Sequence, residues 1–385
     1  MNILDQEVIL EFFRQNYLWF VAIVFAGTFG LTYYLIPKVL WVTKEKNLLT
    51  GMNERSSHSI AVPSFGGVAF YISIIMVLSI LQSMRLTYIG NHLIAACTIL
   101  FMVGLKDDLV ISTARVKLFG QATAAMFLIF SPEMALNTLH GFLGIYEIPL
   151  AVGFIIKAFL VVALINAFNL IDGIDGLAAI VGIVISSMLA YVFYIAHQPY
   201  YVLVSISITG ILTAYLRYNF SRGANKIFMG DSGSLIIGLV LAFLSLKFLV
   251  MEPHPETVKA GYDPANRLLF LACLLFIPAF DTLRVMFLRK MSGNSMFTAD
   301  RNHVHHVLLD LGMPHWKASL GIGILNLIVV WTFFFFVNKL PQAWLIFVVV
   351  LLYSASFLLF SKLKKLSEKT ARQAIRRSEF SMNSK

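Results

Sequence analysis

Residues 166–176 read Asn-Ala-Phe-Asn-Leu-Ile-Asp-Gly-Ile-Asp-Gly, with apolar runs over 154–165 before them and 177–195 after them. Asn169, Asp172 and Asp175 are spaced three apart, so on a helix they share one face. Gly173 and Gly176 let the backbone come close to a ligand. Each flanking run reads as a membrane helix. Acidic groups between two such helices are costly without a cation or a hydrogen-bond donor. The stretch therefore sets both the fold, a membrane helix bundle, and the place of its polar site.

Composition agrees. Of 385 residues, 58% are hydrophobic and 13% charged, with a mean hydropathy of +0.80. Runs of membrane-spanning length recur along the whole chain. The fold class expected is all-α and integral to the membrane: a polytopic bundle of about eleven spans, near 17–40, 65–84, 91–105, 118–131, 149–166, 177–196, 200–217, 233–251, 267–288, 319–338 and 341–361. Residues 1–361 form one membrane domain and 362–385 a basic tail. The net charge of +10 is first a topology signal, and no nucleic-acid partner is expected. Cys97 and Cys273 lie far apart in apolar runs, which suggests neither a disulfide framework nor a zinc site. Asp5, Glu7 and Glu11 precede the first run, so no cleaved signal peptide is expected.

Basic residues orient the bundle. With the N-terminus outside, inner loops collect Lys44, Lys46, Arg55, Lys106, Arg115, Lys117, Arg217, Arg222, Lys226, Arg289, Lys290 and Arg301, and the tail adds seven more between Lys362 and Arg377. The outer loop 132–148 has no Lys or Arg. This is the positive-inside pattern. It places NAFNLIDGIDG, Asp107-Asp108, Phe228-Met229-Gly230-Asp231 and His303-Val304-His305-His306 together on the cytoplasmic side. Two carboxylates about 4 Å apart repel by roughly 4 kcal/mol at an effective dielectric near 20, so converging acids need a cation. Oxygen ligands suit Mg²⁺, or Mn²⁺, which commonly share carboxylates with substrate phosphates. Lys117, Arg301 and the imidazoles can hold further phosphate charge. These residue types point to metal-assisted phosphoryl transfer at a membrane surface, with a lipid as one substrate.

Four motifs occur in order: Asp107-Asp108 ending a span, Asn169-x-x-Asp172-Gly-x-Asp175-Gly, Phe228-Met229-Gly230-Asp231-x-Gly233-Ser234 and His303-x-His305-His306. With Arg55-Ser-Ser-His58, Pro63 and Gly66-Gly67 upstream, the chain resembles the polyprenyl-phosphate N-acetylhexosamine-1-phosphate transferases, the WecA/TagO-like relatives of MraY, over about residues 20–360. The resemblance implies transfer of a sugar 1-phosphate from a UDP-sugar to undecaprenyl phosphate with release of UMP, at the inner membrane of a bacterium. It implies that Asp231, with Asn169, holds Mg²⁺. Asp107 would deprotonate or place the lipid phosphate, and Asp108 would support it. Asp172 and Asp175 would lie at the nucleotide end, Phe228 would stack on uracil with Asn219 nearby, and Lys117 would meet the lipid phosphate. His303, His305, His306 and Arg301 would read sugar and phosphate. The interrupted histidine run favours an N-acetylhexosamine, best N-acetylglucosamine, over the muramoyl pentapeptide. Ile111 stands where a looser first motif would have a third acid, which argues against a three-carboxylate clamp there. Partners expected are the UDP-sugar, undecaprenyl phosphate and membrane lipids; a homodimer is left open.

Blander readings exist for each motif. Asp107-Asp108 can be a solvated helix end beside Lys106, and DGIDG a simple turn. Adjacent His305 and His306 are poorly spaced for zinc. Phe228 alone suits an interfacial anchor, and Lys157 is expected to snorkel. The rivals are a muramoyl-pentapeptide transferase and, from another class, a transporter, which would place its ionisable groups near mid-membrane.

Overall fold

The computed structural model describes residues 15–48, 62–84, 87–110, 112–293, 295 and 302–383, with side chains as far as Lys369. Helices dominate. In chain order they are α1 (Tyr17–Glu45), α2 (Gly66–Ser83), α3 (Ile89–Leu109), α4 (Ala114–Ile129), α5 (Leu150–Ile171), α6 (Leu177–Ile195), α7 (Pro199–Asn219), α8 (Gly230–Val250), α9 (Pro255–Lys259), α10 (Arg267–Leu274), α11 (Phe276–Met291), α12 (Val304–Asp310), α13 (His315–Val337) and α14 (Gln342–Asn383). Each of the eleven expected spans falls on a helix. Among the described residues nine are long and apolar enough to cross a membrane, and α10 with α11 makes a tenth if the bent pair is one span. The eleventh, α4, has only 16 residues, short of the roughly 20 a bilayer asks for.

α8 is the axis of the bundle. Its most apolar window is 89% buried, against 22% for α14 and 17% for α1. It packs on α2, α3 and α5. Helices in lipid gain little from apolar burial against each other, so close packing rests on small residues. A Cβ at Gly104 of α3 would run into the Ser232 backbone, and one at Gly67 of α2 into the Ser232–Gly233 peptide. Those two glycines bring α2 and α3 against the first turn of α8. The outermost helices present large apolar side chains, such as Trp19 on α1 and Trp331 on α13, to their surroundings.

The α10–α11 pair bends by 68°. Pro278 lacks an N–H, so the Leu274 carbonyl four residues earlier loses its helical donor. Asn326 of α13 repairs the break: its Nδ2 donates to Leu274 O at 3.1 Å and its Oδ1 accepts from Ile277 N at 3.1 Å. Within hydrocarbon such groups need a protein partner.

Three features differ from expectation. The outer loop forms a hairpin of β1 (Thr138–Phe142) and β2 (Ile145–Glu147), closed at Leu143-Gly144 with both φ positive, as a type I′ hairpin turn requires. Lys157 does not snorkel. It is buried, its Nζ donating to Ile129 O at 2.5 Å and lying 4.4 Å from the Phe154 ring centre. The carbonyl at the end of the short α4 gives it a partner inside the protein. Finally, α14 runs unbroken through position 361, so the basic segment continues the last span.

Candidate active site at one mouth of the bundle

The last turn of α3 and the first turn of α8 meet head to head. Gly230 has φ +72°, and a Cβ there would strike Ser64 O and the Asp108 carboxylate, so only glycine fits. Asp108 Oδ1 accepts from Asp231 N at 2.7 Å; its Oδ2 accepts from Ser232 N at 3.0 Å and Ser232 Oγ at 2.6 Å. Asp108 thus caps α8 from a neighbouring helix, a carboxylate at the positive end of the helix dipole. Its oxygens are committed to holding Asp231.

Asp231 faces the mouth. It accepts from Asn169 Nδ2 at 2.8 Å and pairs with Lys117. Lys117 also pairs with Asp107 at 2.7 Å, and Asp107 accepts from Ser112 N at 2.6 Å. Asn169 donates to Ser234 as well, at 2.8 Å. A reciprocal amide pair, Gln121 with Asn166 at 2.7 and 3.1 Å, ties α4 to α5, so Lys117 and Asn169 ride on linked helices.

Asp172 caps the end of α5. Its carboxylate has no hydrogen bond or ion pair among the described residues. Burial, then the negative charges of Asp231, Asp108 and Asp175, pushes it up to about 7. Asp175 contrasts with it. Burial works against its charge, but His315 at 3.3 Å and Lys226 at 2.6 Å hold it below the usual carboxylate range. A cavity of about 410 Å³ lies here, lined by Asp175, Phe220, Arg222, Lys226, His315 and Trp316. Phe228 sits beside it, its ring centre 5.6 Å from Lys226 Nζ.

Asn219 is buried, and both ends of its amide bond to backbone: Oδ1 accepts from Gly176 N at 2.6 Å and Nδ2 donates to Ile227 O at 3.0 Å. It joins the DGIDG loop to the segment entering Phe228. Pro63, Gly66 and Gly67 also act through backbone, in bonds linking Pro63 O, Gly66 N and Gly67 N to Phe228 and Met229.

The histidine loop is held by a residue that the sequence gave no reason to single out. Asp281 of α11 is buried; its Oδ2 pairs with His303 Nδ1 at 2.8 Å and its Oδ1 accepts from Val304 N at 2.8 Å. His305 lies against Gly173, where a Cβ would overlap its ring. Burial pushes its pKa down to about 3, so it is a neutral imidazole near pH 7. The His306 ring lies tilted against it, the ring centres 4.3 Å apart. Arg301, Ile111 and the Arg55–His58 motif fall outside the described residues.

All four motifs therefore converge on one end of the bundle. Lys117 pairs with Asp107 and Asp231, and Asp108 and Asp172 bring two more carboxyl groups to the same mouth, so among the described residues the acids there outnumber the ammonium between them. Asp172, without a partner among the described residues, and this set of hard oxygen donors fit a magnesium-type ion, which takes one or two protein carboxylates and completes its octahedron with waters or substrate oxygens. Ligation by Asn169 needs its amide rotated, since its N–H₂ faces Asp231 in this structure.

A polytopic helical bundle with this acid-rich mouth is one class of membrane protein; sequence comparison narrows it. The glycosyl transferase family 4 profile matches residues 91–249, the span from α3 to α8 that builds most of the mouth. The decaprenyl-phosphate N-acetylglucosaminephosphotransferase of Mycolicibacterium smegmatis is 30% identical over 293 residues, 70% of each chain. That of Mycobacterium tuberculosis is 29% identical over 314 residues, 76% of each chain. The undecaprenyl-phosphate alpha-N-acetylglucosaminyl 1-phosphate transferase of Escherichia coli is 27% identical over 288 residues, 74% of this chain and 75% of that one. The chain belongs to glycosyl transferase family 4.

Proposed function

We propose that this chain transfers N-acetylglucosamine 1-phosphate from a UDP-sugar to a polyprenyl phosphate, undecaprenyl phosphate foremost, releasing UMP at the cytoplasmic face of a bacterial plasma membrane. The reading rests on the names of the relatives and on one observation: Asp107, Lys117 and Asp231 form an ion-paired cluster where the spans end, with Asp172, which has no partner among the described residues, at the same mouth. A mid-membrane transporter site would lie far from these helix ends.

In the reaction a lipid phosphate oxygen attacks the donor's β-phosphorus. The new P–O bond forms as the bond from that phosphorus to the bridging oxygen breaks, and UMP departs with the bridging oxygen. Asp107 accepts a proton from, or positions, the lipid phosphate, and Lys117 carries that phosphate's charge. Asp108 holds Asp231 at the first turn of α8. Asp175, Lys226 and Phe228 line the nucleotide end, and the Asp281-fixed histidines face sugar and phosphate. Mg²⁺, held by Asp231 with Asn169, would neutralise pyrophosphate charge.

The test is UMP release by purified protein with undecaprenyl phosphate and Mg²⁺, offering UDP-GlcNAc, UDP-GalNAc and UDP-MurNAc-pentapeptide separately. Lipid-dependent UMP from UDP-GlcNAc, absent in Asp231→Asn, is expected. UMP only from the pentapeptide donor would transfer the proposal to the muramoyl branch, and no UMP from any donor with folded protein would overturn it.

A further inference from the structure

The opposite mouth of the bundle holds a second group of chemistry-bearing side chains. His197 follows α6, which starts at the acid-rich mouth and ends at the other side. His254 and Glu256 follow α8, which runs the same way. Among the described residues these three are the one group of His, Cys, Asp or Glu side chains whose potential ligand atoms all lie within 4.8 Å of one another.

The spacing is informative. His197 Nε2 and Glu256 Oε2 are 3.3 Å apart, long for a charge-assisted hydrogen bond, which closes to about 2.7–2.9 Å. Two ligands each about 2.0–2.1 Å from one tetrahedral zinc ion stand about 3.3–3.4 Å apart. The His254 ring centre is 5.0 Å from that of His197. His254 Nδ1 accepts only a weak 3.4 Å bond from Glu256 N, which leaves its Nε2 for a ligand. His197 and Glu256 are 67% and 58% exposed, so small rotations bring the three atoms together.

Backbone conformation adds an independent sign. His197 has φ +52° and donates to Tyr194 O while Gln198 N donates to Phe193 O. This is a helix-ending motif whose left-handed position glycine fills at least cost. A histidine there gives up that advantage and gains an imidazole aimed at Glu256.

We infer that His197, His254 and Glu256 form a binding site for a divalent transition metal, Zn²⁺ by its two-imidazole, one-carboxylate donor set, which clips the α6–α7 turn to the α8–α9 segment at the end of the bundle away from the acids. Its ligands are separate from those assigned to phosphoryl transfer.

The experiment follows Co²⁺ and Zn²⁺ binding to metal-stripped, detergent-purified protein, by visible absorption and by melting temperature. The expected result is one equivalent with the intense visible bands of tetrahedral Co²⁺, displaced by Zn²⁺, and a Zn²⁺-dependent rise in melting temperature. Both vanish in His197→Gly, which relieves the left-handed strain and so melts no lower than the parent without metal. Both vanish also in Glu256→Gln and persist in His306→Gln, the control at the other mouth. Retention of the bands and of the thermal shift in His197→Gly, or no tetrahedral Co²⁺ in the parent, would overturn the proposal.

Discussion

Asp172 and Asp108 are both carboxylates at one mouth, yet their partners assign them opposite work. Asp108 has three donors and Asp172 has none among the described residues. With its pKa raised to about 7, Asp172 favours the folded state as a neutral acid. Its contribution to stability is full below the unfolded value near 3.9 and is lost as pH rises through about 7. Asp172→Asn keeps the neutral form at every pH. It should therefore raise the melting temperature at pH about 8 more than at pH about 5, while transfer collapses if the carboxylate is needed. The parent's rate should fall as pH drops through the range near 7. A thermal gain equal at both pH values would refute the assignment. Asp108→Ala should behave differently, costing about 0.5–2 kcal/mol of stability as a lost cap and lowering kcat through a misplaced Asp231. Denaturation and kinetics on the same sample read both. The four motifs were legible in the sequence because each carries an unusual density of charge in a greasy chain. The division of labour within them was not. Asn219, expected near the base, has both ends of its amide on backbone groups, a bracing that leaves no mark in composition because its partners are main-chain atoms.

At the scale of elements, the spans could be read from hydropathy because lipid enforces apolar length. Their interruptions were hidden. Pro278 alone hints at the α10–α11 break, but nothing local names Asn326, about 50 positions away, as its remedy. Asn326→Leu should orphan the Leu274 carbonyl and the Ile277 N–H together. At about 1–3 kcal/mol for each buried unsatisfied group, it should lower the melting temperature well beyond the effect of Asn326→Gln. It should also loosen the histidine loop, since Asp281 lies four residues past Ile277 on the re-aimed helix. Thermal unfolding with an intrinsic-fluorescence readout tests the first part. An unchanged melting point would mean that the break is satisfied some other way. Asp281, Gln121 and Lys157 escaped reading, or were misread, for the same reason: a single polar residue in an apolar run is ambiguous until its distant partner is placed.

For the whole molecule, the segregation of charge predicts direction. All four motifs gather at one end of the bundle, as the distribution of Lys and Arg in the loops implied. Reporter fusions in a bacterial host should place the C-terminus in the cytoplasm and the Leu143-Gly144 hairpin turn outside; the reverse would put the acid mouth on the wrong face for a soluble nucleotide donor. The central position of α8 has a cost at this scale. The helix that presents Asp231 is also the one against which α2, α3 and α5 are packed, so substitutions along its length disturb fold and site together.

The last helix is a drive shaft. From Gln342 to Asn383 it turns without a break for 42 residues, about 63 Å at 1.5 Å per residue, roughly twice the thickness of the hydrocarbon core. It has no joint where the apolar half gives way to the basic half. As far as Lys369 the compass bearing of the tail residues is therefore set by the packing of the span, and Lys364, 3.6 Å from Asp310 of α12, shows that bearing. Adding one residue between the two halves would swing the stretch from Lys362 to Lys369 by about 100°, turning its charges from one neighbour to another without altering any of them.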